Sequence, residues 1–211
     1  MMEDWKRLPA YKAEPRIDSL IGFYLPQIVS DFLKTDTIKE KGIIPELPLR
    51  LGTLQVKEIH KEKKYADLSY KVDFYLLGES GINYFVEFKT DSGSRNQKQD
   101  DYLEKAEEVK MAAIVHGILQ IASATSFNYK HKYEHLISKL KELELISENN
   151  EYTGKTDLIE VIYAQPHQAM MNSKEKKVIN FECLSKWLNE NHGDSEYEVA
   201  LANTLKKWSE D

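Results

Sequence analysis

Residues 69–103 read SYKVDFYLLGESGINYFVEFKTDSGSRNQKQDDYL and contain the strongest structural signal of the chain. Two segments rich in Tyr, Val, Phe and Leu, residues 68–77 and 82–89, predict β-strands. The four residues between them, Gly-Glu-Ser-Gly at 78–81, have the composition of a tight turn. These features predict an antiparallel hairpin, and the pattern that follows predicts a long helix over residues 98–124.

Weaker patterns on both sides of the hairpin complete a mixed α/β architecture. Apolar residues at helical spacing predict a helix at 15–32 that Pro26 kinks or breaks. Residues 43–52, IIPELPLRLG, predict a loop because their two prolines disfavour helices and central strands. The remaining predicted elements are strands at 53–60, 158–164 and 178–183 and helices at 131–146, 184–188 and 197–208. This order predicts one α/β or α+β sandwich domain spanning 1–211, with a central mixed sheet.

Three ionisable residues of the predicted hairpin suggest chemistry. Asp73 lies in the first strand, and Glu87 and Lys89 lie in the second. Residues i and i+2 of a strand project from one face, so Glu87 and Lys89 project together and pairing can bring Asp73 beside them. Two carboxylates favour a hard divalent cation, normally Mg²⁺, and a lysine beside it can activate water or stabilise charge on a phosphate. The alternative interpretation is an ordinary solvated face of a hairpin.

The spacing D-x13-E-x-K, formed by Val72-Asp73 and Glu87-Phe88-Lys89, resembles the PD-(D/E)xK nuclease superfamily. Val72 occupies the place of the proline in the superfamily's name, and the predicted element order agrees over about residues 14–165. The resemblance implies a restriction-endonuclease-like fold with an α-β-β-β-α-β core, followed by a C-terminal strand and helices at 176–208. It also implies a Mg²⁺-dependent endo- or exodeoxyribonuclease, with Mn²⁺ as a substitute. Asp73 and Glu87 would bind the metal, and Lys89 would activate water.

The segment after the hairpin adds to this resemblance. Arg95, Gln97, Gln99 and Tyr102 resemble the glutamine-and-tyrosine helix start that several nuclease families of the superfamily place after the lysine strand. The resemblance implies that Gln99 orients the water or the scissile phosphate, and that Arg95 and Gln97 contact DNA. Gln97 competes with Gln99 for the first role because the spacing to Tyr102 leaves the register open. An ordinary loop and helix start is the alternative for Arg95 and both glutamines.

Some members of the superfamily carry a further acidic residue on the first helix. Glu14 is the candidate here, although its position before Pro15 equally suits a residue that starts a helix. Asp91, in the loop after the lysine strand, is a further candidate, or it caps that loop. Because a solvated polar site contributes little stability, removal of either carboxylate, Asp73 or Glu87, is expected to leave folding nearly intact.

Composition limits the classes of function. The chain has 211 residues and a net charge of -6, so charge alone does not predict a nucleic-acid binder. One cysteine, Cys183, excludes an intramolecular disulfide and suits a reducing cytoplasm. No segment has the length and apolarity of a membrane span, and the first residues lack the apolar core of an export signal. These features predict a cytoplasmic protein.

Local charge gives two further hypotheses. The lysines at 57, 61, 63, 64 and 71 either contact phosphates near the site or form an ordinary lysine-rich turn. His131 and His135 have the spacing of two metal ligands on a helix, but the solvated face is the preferred interpretation.

The predicted partner is DNA, and the resemblance adds a homodimer because many such nucleases pair to cut two strands. Two alternatives stay open. One is a catalytically inactive nuclease-fold module for nucleic-acid binding or protein scaffolding, and the other is an interaction domain whose acidic surface meets a basic protein partner.

Overall fold

The computed structural model describes residues 14–54, 68–90, 97–167 and 177–210. The strands are β1 (Ile38–Arg50), β2 (Ser69–Gly78), β3 (Asn83–Phe88), β4 (Ile159–Gln165) and β5 (Lys177–Asn180). The helices are α1 (Glu14–Ile21), α2 (Leu25–Leu33), α3 (Leu51–Leu54), α4 (Gln97–Ala124), α5 (Phe127–Glu142), α6 (Phe181–His192) and α7 (Glu196–Trp208). None of the helices in these ranges combines the length and the apolar character that crossing a membrane requires.

The five strands form one mixed sheet in the order β1-β2-β3-β4-β5. β1 and β2 are antiparallel, whereas β4 and β5 are parallel. Hydrogen bonds from Asn83 N to Leu158 O (3.0 Å) and from Lys89 N to Ala164 O (2.8 Å) advance together along β3 and β4. That direction makes β3 and β4 parallel, so the predicted mixed α/β sheet is confirmed. The restriction-endonuclease-like topology and the single domain stay predictions.

The chain divides into two compact units. Unit one consists of Met1–Thr37, Val86–Asn96 and Val161–Asp211, and unit two consists of Ile38–Phe85 and Gln97–Glu160.

Unit two is built on the β1–β2 pair. Its register pairs Leu47 with Val72, both fully buried, and α4 contributes further buried aliphatic side chains. A Cβ atom at Gly117 of α4 would lie 2.5 Å from Thr53 Oγ1, so the close approach of α3 to α4 favours glycine. Gly81 ends the hairpin turn with a φ of 92°, a backbone conformation that other residues rarely adopt.

Unit one packs helices against the ends of the sheet strands. The α1 and α2 helices bury Ile17, Ile21 and Leu25. The ring of Phe88, at the end of β3, stacks on Phe181 at the start of α6, with centroids 5.4 Å apart. Burial of these apolar side chains supplies the main stabilisation of this unit.

The hairpin prediction is confirmed. β2 and β3 lie within one residue of the predicted bounds at all four ends, and Gly81 N donates to Gly78 O at 2.9 Å in the turn between them. The long helix and the C-terminal helices also lie where the sequence predicts them. Lys110, with a φ of 74° and a ψ of 162°, interrupts α4.

The predictions around the prolines need correction. The predicted loop at 43–52 is wrong, because residues 38–50 form β1. Pro45 and Pro48 fit there because β1 is an edge strand of the sheet, where a missing N–H can face away from the ladder. The predicted strand at 53–60 is wrong for Thr53 and Leu54, which are helical, and its other residues lie outside the described ranges.

The first predicted helix is two helices. It ends at Ile21 and a new helix starts at Leu25. Pro26 lies in the first turn of α2, where the N–H that proline lacks has no helical partner. The break therefore falls before the proline.

Candidate active site

Glu87 and Lys89 form a buried ion pair where β3 ends. Lys89 Nζ donates to Glu87 Oε1 at 2.6 Å, and the two residues are 2% and 1% exposed respectively. Strand alternation projects both side chains from one face, and the backbone bond from Lys89 N to Ala164 O holds the end of the strand against β4. The alternative interpretation, a solvated face of the hairpin, is wrong for these two residues.

This burial also corrects the expected stability of Glu87. A carboxylate in water can be removed at little cost, but Glu87 is desolvated and ion-paired. Removal of one member of a buried pair leaves the other charge uncompensated, which typically costs about 3–5 kcal/mol. Substitutions at Glu87 or Lys89 therefore affect folding as well as chemistry.

Asp73 is half-buried in the middle of β2, between the buried side chains of Val72 and Phe74. The β1–β2 register pairs Pro45 with Phe74 and Leu47 with Val72, so Glu46 lies opposite Asp73. Asp73 and Glu46 belong to unit two, and Glu87 and Lys89 belong to unit one. The convergence of Asp73 with Glu87 stays a prediction.

A hydrogen bond between Tyr75 and Asn83 shows which face of β2 corresponds to which face of β3. Tyr75 Oη donates to Asn83 Oδ1 at 2.9 Å, and burial raises the pKa of the Tyr75 phenol well above its usual range, so the hydroxyl remains a donor. Asn83 Nδ2 in turn donates to the carbonyl oxygens of Thr156 (3.1 Å) and Leu158 (3.0 Å). These bonds place Tyr75 and Asn83 on the same face of the hairpin.

The start of α4 distinguishes the two candidate glutamines. Gln97 is exposed, and its Nε2 donates to Asp101 Oδ1 at 2.9 Å along the helix surface. Gln99 is half-buried, and its Oε1 is shielded from solvent with no hydrogen-bond partner among the described residues. A buried acceptor of this kind suits a ligand or water that the protein binds. Gln99 is therefore the better candidate for orienting water.

An aromatic contact positions this helix start within unit two. The ring of Tyr102 lies 5.4 Å from the ring of Tyr70, between centroids. Tyr70 belongs to β2, three residues before Asp73, so strand alternation projects these two side chains from opposite faces of β2. The contact packs the first turns of α4 against the strand that carries Asp73.

Several predicted residues lie outside the described ranges, namely Arg95, Asp91 and the lysines at 57, 61, 63 and 64. Glu14 is the first residue of α1, but its side chain is not among those described. Lys71, the remaining member of the predicted basic cluster, pairs with Glu46 at 3.3 Å on the surface. His131 and His135 are exposed on α5, in agreement with a solvated face.

Sequence reasoning missed Gln165. This residue ends β4 and is fully buried, and its Nε2 donates to His167 O at 2.6 Å. A carbonyl only accepts, so the amide oxygen points elsewhere, and it has no partner within the described part of the chain. The bond from Lys89 N to Ala164 O makes Gln165 the parallel-register neighbour of Lys89. The sequence signal that could have indicated Gln165 was a polar residue at the end of an apolar strand.

Asp18 is another buried residue that sequence reasoning missed. It lies one helical turn after Glu14, the residue proposed from sequence, and it is 7% exposed. Its Oδ1 accepts hydrogen bonds from both the backbone N–H and the hydroxyl of Ser19. Asp18, Glu87, Lys89 and Gln165 are thus among the buried polar residues of unit one. The i, i+4 spacing could have indicated Asp18 as the second candidate on this helix face.

Within the described ranges, no three His, Cys, Asp or Glu side chains form a cluster that could hold a metal ion. Comparison of the chain with protein-family models, with curated proteins and with solved structures finds no match.

Proposed function

We propose that this chain is a metal-dependent nuclease that hydrolyses phosphodiester bonds of DNA. In this proposal Asp73 and Glu87 bind Mg²⁺, Lys89 activates the attacking water and Gln99 orients it. The observation that carries the proposal is the buried ion pair between Lys89 Nζ and Glu87 Oε1 at 2.6 Å.

The energetic cost of this pair points to a function. Desolvation of two charges costs several kcal/mol each, and apolar side chains of similar volume often stabilise a protein as well or better. The other side chains of β3 are mostly aromatic or aliphatic and buried, so an apolar pair would fit the strand. Buried ionisable groups at the end of a strand are candidates for catalysis for this reason.

Strand alternation supports the participation of Asp73. Asp73 lies two residues from Tyr75 on β2, and Glu87 lies four residues from Asn83 on β3. Residues at even separations along a strand share a face, and the Tyr75–Asn83 hydrogen bond indicates which faces correspond. Alternation therefore predicts that Asp73 and Glu87 project from the same face of the hairpin.

The donor atoms fit the implied cation. Asp73 and Glu87 supply carboxylate oxygens, which are hard ligands. Mg²⁺ and Mn²⁺ prefer such donors, and Mg²⁺ usually keeps several waters besides one or two carboxylates. When bound, such an ion supplies Lewis-acid stabilisation of a phosphoryl oxygen.

Each protein group has a separate role in the reaction. The Lys89 ammonium activates the attacking water by stabilising the negative charge that develops as the new P–O bond forms; the P–O bond to the leaving oxygen of the DNA breaks, and the proton of the water passes to solvent. Glu87 holds that ammonium in place through the ion pair. Gln99 Oε1 accepts a hydrogen bond from the attacking water and directs an oxygen lone pair toward phosphorus.

A cleavage assay tests the proposal. Supercoiled, linear and single-stranded DNA are incubated with the protein in Mg²⁺, Mn²⁺ or EDTA, beside Asp73→Asn and Lys89→Arg variants. We expect metal-dependent cleavage that Asp73→Asn abolishes. Cleavage that persists in EDTA would overturn the mechanism, and DNA binding without cleavage in either metal would favour the catalytically inactive module.

A further inference from the structure

A groove between β1 and α5 is a chemically distinctive surface of unit two. Its cavity has a volume of about 560 Å³. The apolar floor is made by Ile43, Ile44, Pro45, Pro48 and Leu136. A volume of this size lies within the range of pockets that bind small organic groups.

The walls of the groove are basic. Three lysines, Lys71, Lys132 and Lys139, line it together with His135, and Glu46 is the one carboxylate of the lining. That carboxylate pairs with Lys71 at 3.3 Å, and Glu142, outside the lining, pairs with Lys139 at 3.2 Å, so Lys132 is the main source of positive charge in the groove. The whole chain has a net charge of -6, so a local excess of lysines is opposite in sign to the rest of the protein. The groove thus complements an anionic ligand.

The α5 side of the groove also presents aromatic rings. Tyr129, Lys132 and Tyr133 follow at i, i+3 and i+4, so they occupy one helix face. The Tyr129 residue is 57% exposed, and Lys132 Nζ lies 5.5 Å from the ring centroid. An exposed ring flanked by an ammonium suits a nucleobase that stacks while its phosphate meets the lysine.

The groove passes alongside Asp73, because its lining residues Ile44 and Pro48 pair with Tyr75 and Lys71, on either side of Asp73 in β2. Pro48 and Lys71 line the groove and are register partners across β1 and β2. Lys71 is two residues before Asp73, so both project from the same face of β2, about 7 Å apart along the strand. A chain that lies in the groove and passes Lys71 therefore reaches the proposed metal ligand.

We propose that the β1–α5 groove binds a single strand of DNA and leads it to Asp73. A single strand fits better than a duplex because only unstacked bases offer their faces to tyrosine rings. This inference rests on the proposed nuclease function for the fate of the strand, but not for its binding. It predicts a preference for single-stranded over duplex DNA that the sequence did not indicate.

Binding is measured by fluorescence anisotropy with a labelled 20-mer of thymidylate in EDTA, so that cleavage does not interfere. We expect Lys132→Glu and Tyr129→Ala each to weaken binding about tenfold, and Tyr129→Phe to retain wild-type affinity. Lys132→Gln should reduce the slope of log affinity against log salt by about 0.7. Lys130→Glu is the matched control, because Lys130 is exposed on the same helix but does not line the groove.

Equal losses for Lys130→Glu and Lys132→Glu would overturn the groove, as would equal affinity of the wild type for the single-stranded 20-mer and for a 20-base-pair duplex. Binding of an acidic peptide without binding of any oligonucleotide would also overturn the proposed DNA-binding groove. Cleavage assays separate this inference from the nuclease proposal. If the variant pattern holds in EDTA but no metal supports cleavage, the nuclease proposal fails and the groove remains. If cleavage occurs and Lys132→Glu changes neither binding nor cleavage, the groove fails alone.

Discussion

Lys89 Nζ lies 2.6 Å from Glu87 Oε1 although both residues are at most 2% exposed. We expect Lys89→Met to lower the free energy of unfolding by about 3–5 kcal/mol, because Glu87 would remain buried without its counter-charge. The double variant Glu87→Gln, Lys89→Met should recover a large part of that loss. Urea unfolding of the wild type, both single variants and the double variant measures the coupling, and strictly additive effects would refute it.

The second prediction separates chemistry from stability at Asp73. Asp73 is only half-buried, so we expect Asp73→Asn to change the free energy of unfolding by about 1 kcal/mol or less while cleavage is lost. Millimolar Mn²⁺ should raise the melting temperature of the wild type at pH 8 by mass action on the native state. The rise should be absent in Asp73→Asn.

Glu79→Gln provides the control for that metal effect. Glu79 is an exposed carboxylate in the turn of the same hairpin, so its variant should retain the full rise in melting temperature. An unchanged melting temperature of the wild type in Mn²⁺ would mean that the carboxylates do not form a metal site.

A third prediction concerns the shielded amide oxygen of Gln99. A buried acceptor without a partner costs about 1–3 kcal/mol, and methionine has a similar shape without that acceptor. We expect Gln99→Met to maintain or raise the melting temperature while it lowers the cleavage rate about tenfold or more. Gln97→Met, at an exposed position of the same helix turn, should change neither strongly. Loss of stability in Gln99→Met would indicate that the glutamine serves the fold alone.

The parts of the fold that sequence predicted are those encoded by local patterns. The β2–β3 hairpin has two apolar runs and a Gly-rich turn within 20 residues, and its strands lie near the predicted positions. β1 was missed because Pro45 and Pro48 disfavour a strand locally. Their tolerance depends on β1 being at the sheet edge, a tertiary fact.

The candidate site shows the same difference between what local patterns predict and what depends on tertiary structure. The residues Glu87 and Lys89 share a strand, so their shared face followed from the i, i+2 rule. Their burial did not follow, because it depends on segments distant in sequence that cover β3. Gln165 was missed because its place beside Lys89 arises from pairing of β3 with β4, 76 residues later in the chain. Local patterns thus indicated the chemical groups, and long-range pairing set their environment.

The last prediction concerns a pH-sensitive contact in unit one. Tyr24 Oη donates a hydrogen bond to Glu198 Oε1, and Ser195 Oγ donates to the other carboxylate oxygen. The bond to Glu198 is the main cause that raises the pKa of Tyr24 to about 12, from a usual value of 10.0. The bonds from Ser195 and Tyr24 lower the pKa of the Glu198 carboxyl below its usual 4.5.

The signs of these shifts define two pH windows. A raised Tyr24 pKa favours the protonated phenol in the folded state, so its stabilisation is complete below pH 10 and lost as pH rises toward 12. A lowered Glu198 pKa favours the folded carboxylate, so its stabilisation is present above pH 4.5 and lost as pH falls through the folded pKa. We therefore expect the stability advantage of wild type over Tyr24→Phe to be constant between pH 6 and 9 and to shrink outside both limits.

Urea unfolding of both proteins at pH 4, 7 and 11 measures this advantage. Tyr129→Phe is the control, because it removes a hydroxyl from an exposed ring on α5 and leaves the Tyr24–Glu198 bond in place. When Tyr24→Phe is compared with its parent in a Glu198→Gln background, the stability advantage should no longer fall at low pH, because an amide does not titrate. Its fall at high pH should begin nearer pH 10. An advantage over Tyr24→Phe that stays constant from pH 4 to 11 would show that this hydrogen bond does not contribute to the pH dependence of stability.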